Sequence, residues 1–452
     1  MDLKNKRVTV IGLGLSGTSS AILANYLGAI VFVSDSGANK SIHENALKLM
    51  SLHHIASETG LHTEKIYDAE LWIISPGLSK NSRIVKKANQ KSIKSISEIE
   101  FASKYASSPI IAVTGSNGKT TTCNMINSML NGNGITPILS GNLGVPFSKT
   151  VLQQLKKPSK NVYFILEISS FQLEKIEHFK PNYAVYTNIS PDHLDRHGTM
   201  SEYIEMKLRL VKNTSQNDYI IYNQDDTILK EAFKKTSSKK VNYSLERDSN
   251  GYYFKGGYII NQNKKKVISS DRLSIPGKHN ILNFLAAATC SKLIGIKEDK
   301  ILKTLKNFKG LEHRLEHVLT VNNITYINDS KSTNIESVIC AIESFGQPII
   351  LLLGGQNKQS DFRLLLPQIK VSLVKLVITY GESGGHIKTV LGDAVRSEQM
   401  EDLNSAVRKA HNLAAAGDII LLSPGCASFD EFKNFEHRGR FFKDYVNQIS
   451  SL

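Results

Sequence analysis

Val113-Thr114-Gly115-Ser116-Asn117-Gly118-Lys119-Thr120-Thr121-Thr122 is the stretch that decides how this chain is read. An apolar run, Ile110 to Val113, leads into it, and Met125, Ile126, Met129 and Leu130 recur at helical spacing behind it. The order is therefore strand, glycine-rich turn, helix. Such a turn aims several backbone N–H groups at one point, beside the positive end of a helix dipole. Lys119 adds a mobile cation, and Thr120 a hydroxyl suited to a phosphate-bound Mg²⁺. The stretch reads as a nucleoside-triphosphate phosphate loop. Val113 stands where the general pattern has its first glycine, so the match is partial. The competing reading is a glycine-rich turn that only caps a helix.

Upstream, Arg7 to Ile11 reads as a buried strand, followed by Gly12-Leu13-Gly14-Leu15-Ser16-Gly17 and a helical run from Thr18 to Leu27. A second strand, Ile30 to Val33, ends at Ser34-Asp35. This βαβ unit carries the G-x-G-x-x-G fingerprint with an acidic residue about 20 positions on, and read alone it says dinucleotide binding. The physics is broader: such a turn binds any diphosphate, and the carboxylate accepts from any sugar or base donor. Leu71 to Ile74 reads as a third strand, ending in Ser75-Pro76-Gly77. A small polar stretch, Tyr105 to Ser108, marks the end of a first domain.

Downstream, each apolar run ends in a polar or glycine-rich loop. Ile138-Leu139 leads to Gly141-Asn142-Leu143-Gly144, and Tyr163 to Leu166 ends at Glu167. A carboxylate closing a strand beside a phosphate loop is where Mg²⁺ is held. Ala184 to Thr187 runs into a dense polar cluster, Asn188 to His197, which contains His193. Lys207 falls in a helical stretch where periodicity alone says a solvated lysine. Tyr219 to Tyr222 is a further strand, the lysine-rich segment 235–272 reads as hairpins, and Pro276-Gly277 opens a long buried helix through Ile294. From Gly310 onward four strands (324–327, 349–353, 376–379, 419–422) again alternate with helices. The fold class is α/β with three domains, each a mostly parallel sheet with its ligand loops at the carboxyl edge.

Composition bounds the function. The 452 residues are 41% hydrophobic and 21% charged, ordinary values for chains that bury cores. No apolar run nears the roughly 20 residues that cross a bilayer, and the N-terminus has no signal-peptide pattern. Cys123, Cys290, Cys340 and Cys426 show no metal-ligand spacing, which suits a reducing cytosol. The net charge of +15 comes from scattered lysines and arginines without a basic stripe, so no nucleic-acid partner is expected.

In chain order, the phosphate loop, Glu167-x-Ser169-Ser170-Phe171-Gln172-Leu173, Asn188-x-x-x-Asp192-His193-x-Asp195-Arg196-His197, His279-Asn280, His313-Arg314, Asn328-Asp329-Ser330-Lys331-x-Thr333-Asn334 and Ser423-Pro424 through Glu436-x-Arg438-Gly439 resemble the Mur ligases. These are cytoplasmic amide-forming enzymes of peptidoglycan synthesis, and they too lack the first phosphate-loop glycine. The resemblance runs from residue 7 to residue 445. It implies a UDP-binding Rossmann-like domain (1–107), a central ATP-binding domain (108–309) and a C-terminal ligase domain (310–452), with a hinge near 308–312. It also implies the site residues. Gly115, Ser116, Asn117, Gly118, Lys119, Thr120, Thr121, Asn280, Arg314 and Asp329 would meet ATP, and Lys119, Glu167, His193 and Lys207 would be catalytic. Thr120, Glu167, His193 and Lys207 would serve two Mg²⁺ ions, with Lys207 carbamylated by CO₂. Leu15, Ser16, Asp35, Ser36, Gly77 and Asn142 would contact UDP-N-acetylmuramoyl-L-alanine, and Lys331, Thr333, Lys358, Ser428 and Phe435 would surround D-glutamate. Gly37 replaces a basic residue sometimes found there, and Glu312 a common proline. A monomeric cytoplasmic enzyme is expected.

Overall fold

The computed structural model describes residues 1–449 apart from Lys80, Leu143, Pro276, Lys358, Gln359 and the side chain of Asp195. Three predicted features therefore lie outside the described residues: Lys358, Pro276 at the start of the long helix, and Leu143 within its turn.

The first sheet is β1 (Arg7–Ile11), β2 (Ile30–Asp35), β3 (Ala56–Thr59), β4 (Leu71–Ile74) and β5 (Lys94–Ser97) in the order β3-β2-β1-β4-β5. Every pairing is parallel. The order reverses between β1 and β4, so the loops after these two strands diverge and leave a crevice at the carboxyl edge. Trp72 is fully buried on β4, where its indole N–H donates to the Ile66 carbonyl at 2.8 Å and its ring stacks on Tyr67.

The second sheet contains β6 (Ile110–Thr114), β7 (Thr136–Gly141), β8 (Val162–Glu167), β9 (Tyr183–Tyr186), β10 (Tyr219–Asn223) and β11 (Lys239–Tyr243), in the order β11-β10-β9-β6-β8-β7. It too is parallel. β6 sits centrally with all five of its residues buried, as a continuous apolar strand requires. The segment 235–272 is a hairpin only in its second half. Residues 239–243 extend the parallel sheet as an edge strand, because the alternating run pairs with the exposed side of β10. β12 (Tyr253–Lys255), β13 (Tyr258–Ile260) and β14 (Lys266–Ser269) form the small sheet, with β12 and β13 antiparallel.

The last sheet holds β15 (Glu316–Val321), β16 (Ile324–Asn328), β17 (Ile349–Gly354), β18 (Val374–Tyr380), β19 (Ser397–Gln399) and β20 (Ile419–Gly425), in the order β15-β16-β20-β17-β18-β19. Only its edge hairpin β15–β16 is antiparallel. One apolar cluster packs on each of its faces.

By packing, the chain forms two compact units. The first holds residues 1–189, 200–267 and 283–304; the second holds 190–199, 268–282 and 305–452. The expected first and central domains thus share one unit, and buried carboxylates account for the bond between them. Glu98 accepts from the Ser148 backbone N–H at 2.6 Å and its hydroxyl at 2.7 Å. Glu100 accepts from three successive N–H groups, of Glu177, His178 and Phe179, at 2.8–3.0 Å. Burial raises the carboxyl of Glu98 against its Ser148 donors, whereas at Glu100 burial is overcome by Lys104 and the three N–H groups, which hold it below the ordinary carboxylate range, so Glu100 is the charged anchor of this contact.

Candidate active site

The phosphate loop joins β6 to the helix Lys119–Leu130, whose first buried residues are Thr121, Thr122, Cys123, Met125 and Ile126. Gly118 caps that helix at φ 84°, and a Cβ there would come within 2.3 Å of the Asn283 side-chain oxygen. Only glycine meets both demands. The loop is held by the residues just after β9: Asn117 N–H donates to Asn188 Oδ1 at 2.9 Å, and the Thr187 hydroxyl donates to the Asn117 carbonyl at 2.6 Å. Asn188 therefore serves the loop directly, a role its place in a polar cluster did not announce.

The ammonium of Lys119 turns back on its own loop and donates to the carbonyls of Gly115 at 2.8 Å and Ser116 at 2.7 Å. The buried Lys207 donates to the same Gly115 carbonyl at 2.7 Å and lies 4.6 Å over the Tyr203 ring. The expected solvated lysine is thus 2% exposed and aimed at the phosphate loop. Two cations on one loop make a site for an anion.

Glu167 ends β8, and it is 5% exposed. Its Oε2 accepts from the Thr120 hydroxyl at 2.7 Å and its Oε1 from the Asn142 amide at 3.1 Å. Carboxylate and hydroxyl oxygens are the hard donors Mg²⁺ prefers, so Thr120 and Glu167 fit that ion. Asn142 meets Glu167 here and is not among the residues that line the nucleotide-sized cavity of the first sheet.

That cavity measures about 490 Å³ and opens at the β1/β4 switch point, lined by Ile11, Gly12, Gly14, Leu15, Ser16, Asp35, Ser36, His62, Ser75, Pro76, Gly77 and Leu78. Five expected contacts, Leu15, Ser16, Asp35, Ser36 and Gly77, are among them. Gly17 lets the helix Leu15–Tyr26 approach β1: a Cβ there would lie 1.9 Å from the Gly12 carbonyl oxygen. Asp35 holds the loops, its Oδ2 accepting from Leu13 N–H at 2.7 Å and its Oδ1 from Gly37 N–H at 2.8 Å. Ser75 lines the cavity, and its hydroxyl is buried without a hydrogen-bond partner among the described residues. Ser75 was visible in the sequence as part of a strand-end loop. His62 was not, because it lies in an irregular segment with no motif.

In the second unit, the loops after β16, β17 and β20 are tied together. Gly425 N–H donates to the Ser332 carbonyl at 2.9 Å, and Gln356 and Ala427 exchange backbone hydrogen bonds at 2.9 Å. Arg438, fully buried, donates to Ser330 Oγ and to the carbonyls of Ser330, Cys426 and Ala427 at 2.9–3.2 Å. It is the missed residue here: its motif was visible, but not its role as the clamp between two loops. Lys331 and Phe435 meet, the ammonium 5.2 Å from the ring centroid. Ser428 is buried and Thr333 half-buried on the same loops.

Asp329 accepts from the Ser332 and Ser423 hydroxyls and from Leu315 N–H. Burial pushes its carboxyl up to about 6, against the pull of these donors and of Arg314. Burial likewise holds His279, the residue before Asn280, down to about 4, with Arg314 adding to the effect. Asn280 is buried at the start of the long helix Lys278–Leu293. His193 takes a left-handed backbone (φ 54°) ahead of the short helix Leu194–His197, with its Nε2 3.6 Å from Asp192. Glu312, His313 and Glu316 form the one described cluster of metal-ligating types. Lys443 pairs with both carboxylates, at 2.7 Å from Glu312 and 2.8 Å from Glu316.

Parallel sheets with a lysine-bearing phosphate loop on one and strand-end loops at the carboxyl edges of the others define an α/β protein of the nucleotide-binding class. Comparison with known proteins agrees along the chain. Residues 7–84 match the MurD N-terminal domain, 113–291 the Mur ligase middle domain and 313–426 the Mur ligase glutamate ligase domain. The UDP-N-acetylmuramoylalanine--D-glutamate ligase of Christiangramia forsetii is 39% identical over 98% of this chain and 100% of its own length. That of Thermoanaerobacter pseudethanolicus is 37% identical over 99% and 100%. Among solved structures, the UDP-N-acetylmuramate-alanine ligase MurC of Thermotoga maritima superposes with a TM-score of 0.62 at 18% identity, covering 99% of this chain and 100% of that one. The chain belongs to the Mur ligase family.

Proposed function

We propose that this chain joins D-glutamate to UDP-N-acetylmuramoyl-L-alanine with ATP, releasing ADP and phosphate, in the cytoplasmic synthesis of peptidoglycan precursors. The observation that carries the reading is the Thr120–Glu167 pair beside a two-lysine phosphate loop, in a chain whose full-length relatives bear that activity in their name.

A carboxylate is a poor electrophile, and an amine does not displace oxide from it. Transfer of the γ-phosphoryl group to the carboxylate oxygen gives an acyl phosphate, whose leaving group is inorganic phosphate. The amine of D-glutamate then adds to the carbonyl carbon, and the tetrahedral intermediate collapses with loss of phosphate. In this chain the N–H groups of Gly115 to Thr121 and the Lys119 ammonium would bind the β- and γ-phosphates. Thr120 and Glu167 would hold one Mg²⁺, which supplies positive charge as two anions approach. His193 and Lys207 are assigned to a second ion. As an ammonium Lys207 would repel it; addition of CO₂ to the free amine, with loss of a proton, makes a carbamate oxygen ligand. Asn280, Arg314 and Asp329 are assigned to the nucleotide, and Lys331, Thr333, Ser428, Phe435 and Lys358 to D-glutamate, a dicarboxylate that cations and hydroxyls suit. Domain bounds at 107 and 309 and a monomeric state belong to the same proposal.

Phosphate release measured against an amino-acid panel tests it. Turnover should require both UDP-N-acetylmuramoyl-L-alanine and D-glutamate; equal turnover with L-glutamate would sink the assignment. Depleting CO₂ should lower the rate and bicarbonate restore it, with carbamate-derived mass on Lys207.

A further inference from the structure

We propose that His62 is a specificity-determining residue of the cavity at the β1/β4 switch point, its Nε2 accepting a hydrogen bond from an N–H or O–H donor of the uridine nucleotide. The assignment rests on reading that cavity as the UDP site.

The argument starts from a carboxylate outside the cavity. Glu58 accepts from Thr63 N–H at 2.9 Å, from the Thr63 hydroxyl at 2.6 Å and from the Ser34 hydroxyl at 2.7 Å. Burial alone would raise Glu58, but these donors together hold it below the ordinary carboxylate range, so it is ionised and can only accept. Ser34, fully buried, has one proton and spends it on Glu58. Its oxygen also lies 2.7 Å from His62 Nδ1, so Nδ1 must be the donor there. A neutral imidazole protonated on Nδ1 carries its lone pair on Nε2. Burial lowers His62, against the raising effect of Asp35 and Glu58, and favours that neutral form. No described residue pairs with Nε2, and His62 lines the cavity.

The chain Glu58–Ser34–His62 thus presents a fixed acceptor to the ligand. Asp35, the other acceptor facing the cavity, already takes one loop N–H on each oxygen. The serine hydroxyls of the wall accept or donate at will, so they discriminate less between ligand groups. Uridine offers two kinds of donor: the imide N3–H of the base and the ribose hydroxyls.

Titration calorimetry on the full chain separates them, with UDP, N3-methyl-UDP, 2′-deoxy-UDP and 3′-deoxy-UDP as probes. The unmodified chain should bind one analogue about tenfold more weakly than UDP, the worth of one net hydrogen bond. The analogue that weakens names the donor. His62→Phe should erase that ratio, and His62→Gln, which keeps an acceptor oxygen, should restore part of it. ATP affinity at the phosphate loop should stay unchanged in both variants, which separates loss of recognition from loss of fold. A ratio in His62→Phe equal to that of the unmodified chain overturns the proposal, as does an unmodified chain that binds every analogue as well as UDP. Failure of the unmodified chain to bind UDP at all overturns the UDP reading itself, and this assignment with it.

Discussion

The chain has two strand–glycine loop–helix units, Gly12–Gly17 after β1 and Gly115–Thr120 after β6, and their charges are opposite. The first is held by an anion: Asp35 grips Leu13 and Gly37 through their N–H groups. The second is held by cations: Lys119 and Lys207 grip its carbonyls. The backbone physics is shared, since each loop turns N–H groups toward a helix N-terminus. The difference lies in what each loop must do. A transferring phosphoryl group needs positive charge placed in advance. A bound nucleotide that does not react needs only directed donors and acceptors.

The comparison can be broken most sharply at Lys119. Lys119→Met should cut phosphate release by about 10²–10³-fold, the usual cost of removing one preorganised contact to developing charge. It should leave UDP affinity, read by calorimetry, unaltered. A variant that kept full turnover would make the second loop a passive binder like the first. The next effect is at Asp35. Asp35→Ala leaves two loop N–H groups without their carboxylate, and about 1–3 kcal/mol is lost per unsatisfied buried group. KM for the UDP-linked substrate should rise about 10- to 100-fold while kcat changes little; a fall in kcat alone would mean the loop takes part in the chemistry.

The smallest effect is on stability, at a third loop, the one after β16, which Asp329 holds. Asp329 is buried where Asp35 is partly open, and its folded-state value of about 6 exceeds the unfolded value of 3.8. The native state therefore binds the proton more tightly. This contribution is fully present below about pH 4 and is lost as pH rises through about 6. It is at most about 3 kcal/mol. Asp329→Asn should flatten the melting temperature between pH 4 and 7 by a few degrees. An unchanged slope would place the titration elsewhere.

Much of the fold was legible because apolar runs that end in polar loops are what buried parallel strands look like. β1 and β4 fall where the apolar runs put them, and the helix after the phosphate loop buries the expected face. The first helix begins at Leu15, earlier than the expected Thr18, because Gly14 serves as its cap and the fingerprint's last glycine is already helical. The lysine-rich segment misled, since an edge strand and a hairpin strand share the same alternation. The candidate residues were legible as motifs, not as partners. Nothing in Tyr203-Ile204-Glu205-Met206-Lys207 says that its lysine is buried against Gly115, and nothing near Leu61-His62-Thr63 says that the ring lines a cavity.

By itself the sequence determined the three sheets, the two glycine loops and the strand-end carboxylate, because period, glycine spacing and burial are local properties of the chain. Tertiary structure alone decided which charges meet. Lys207 reaches back 92 positions to the phosphate loop, Asn142 reaches forward 25 positions to Glu167, and Arg438 ties Ser330, 108 positions upstream, to Cys426 and Ala427. Such pairings depend on strand order, which periodicity does not encode, and in a low-dielectric interior it is the pairing that sets what a charge can do.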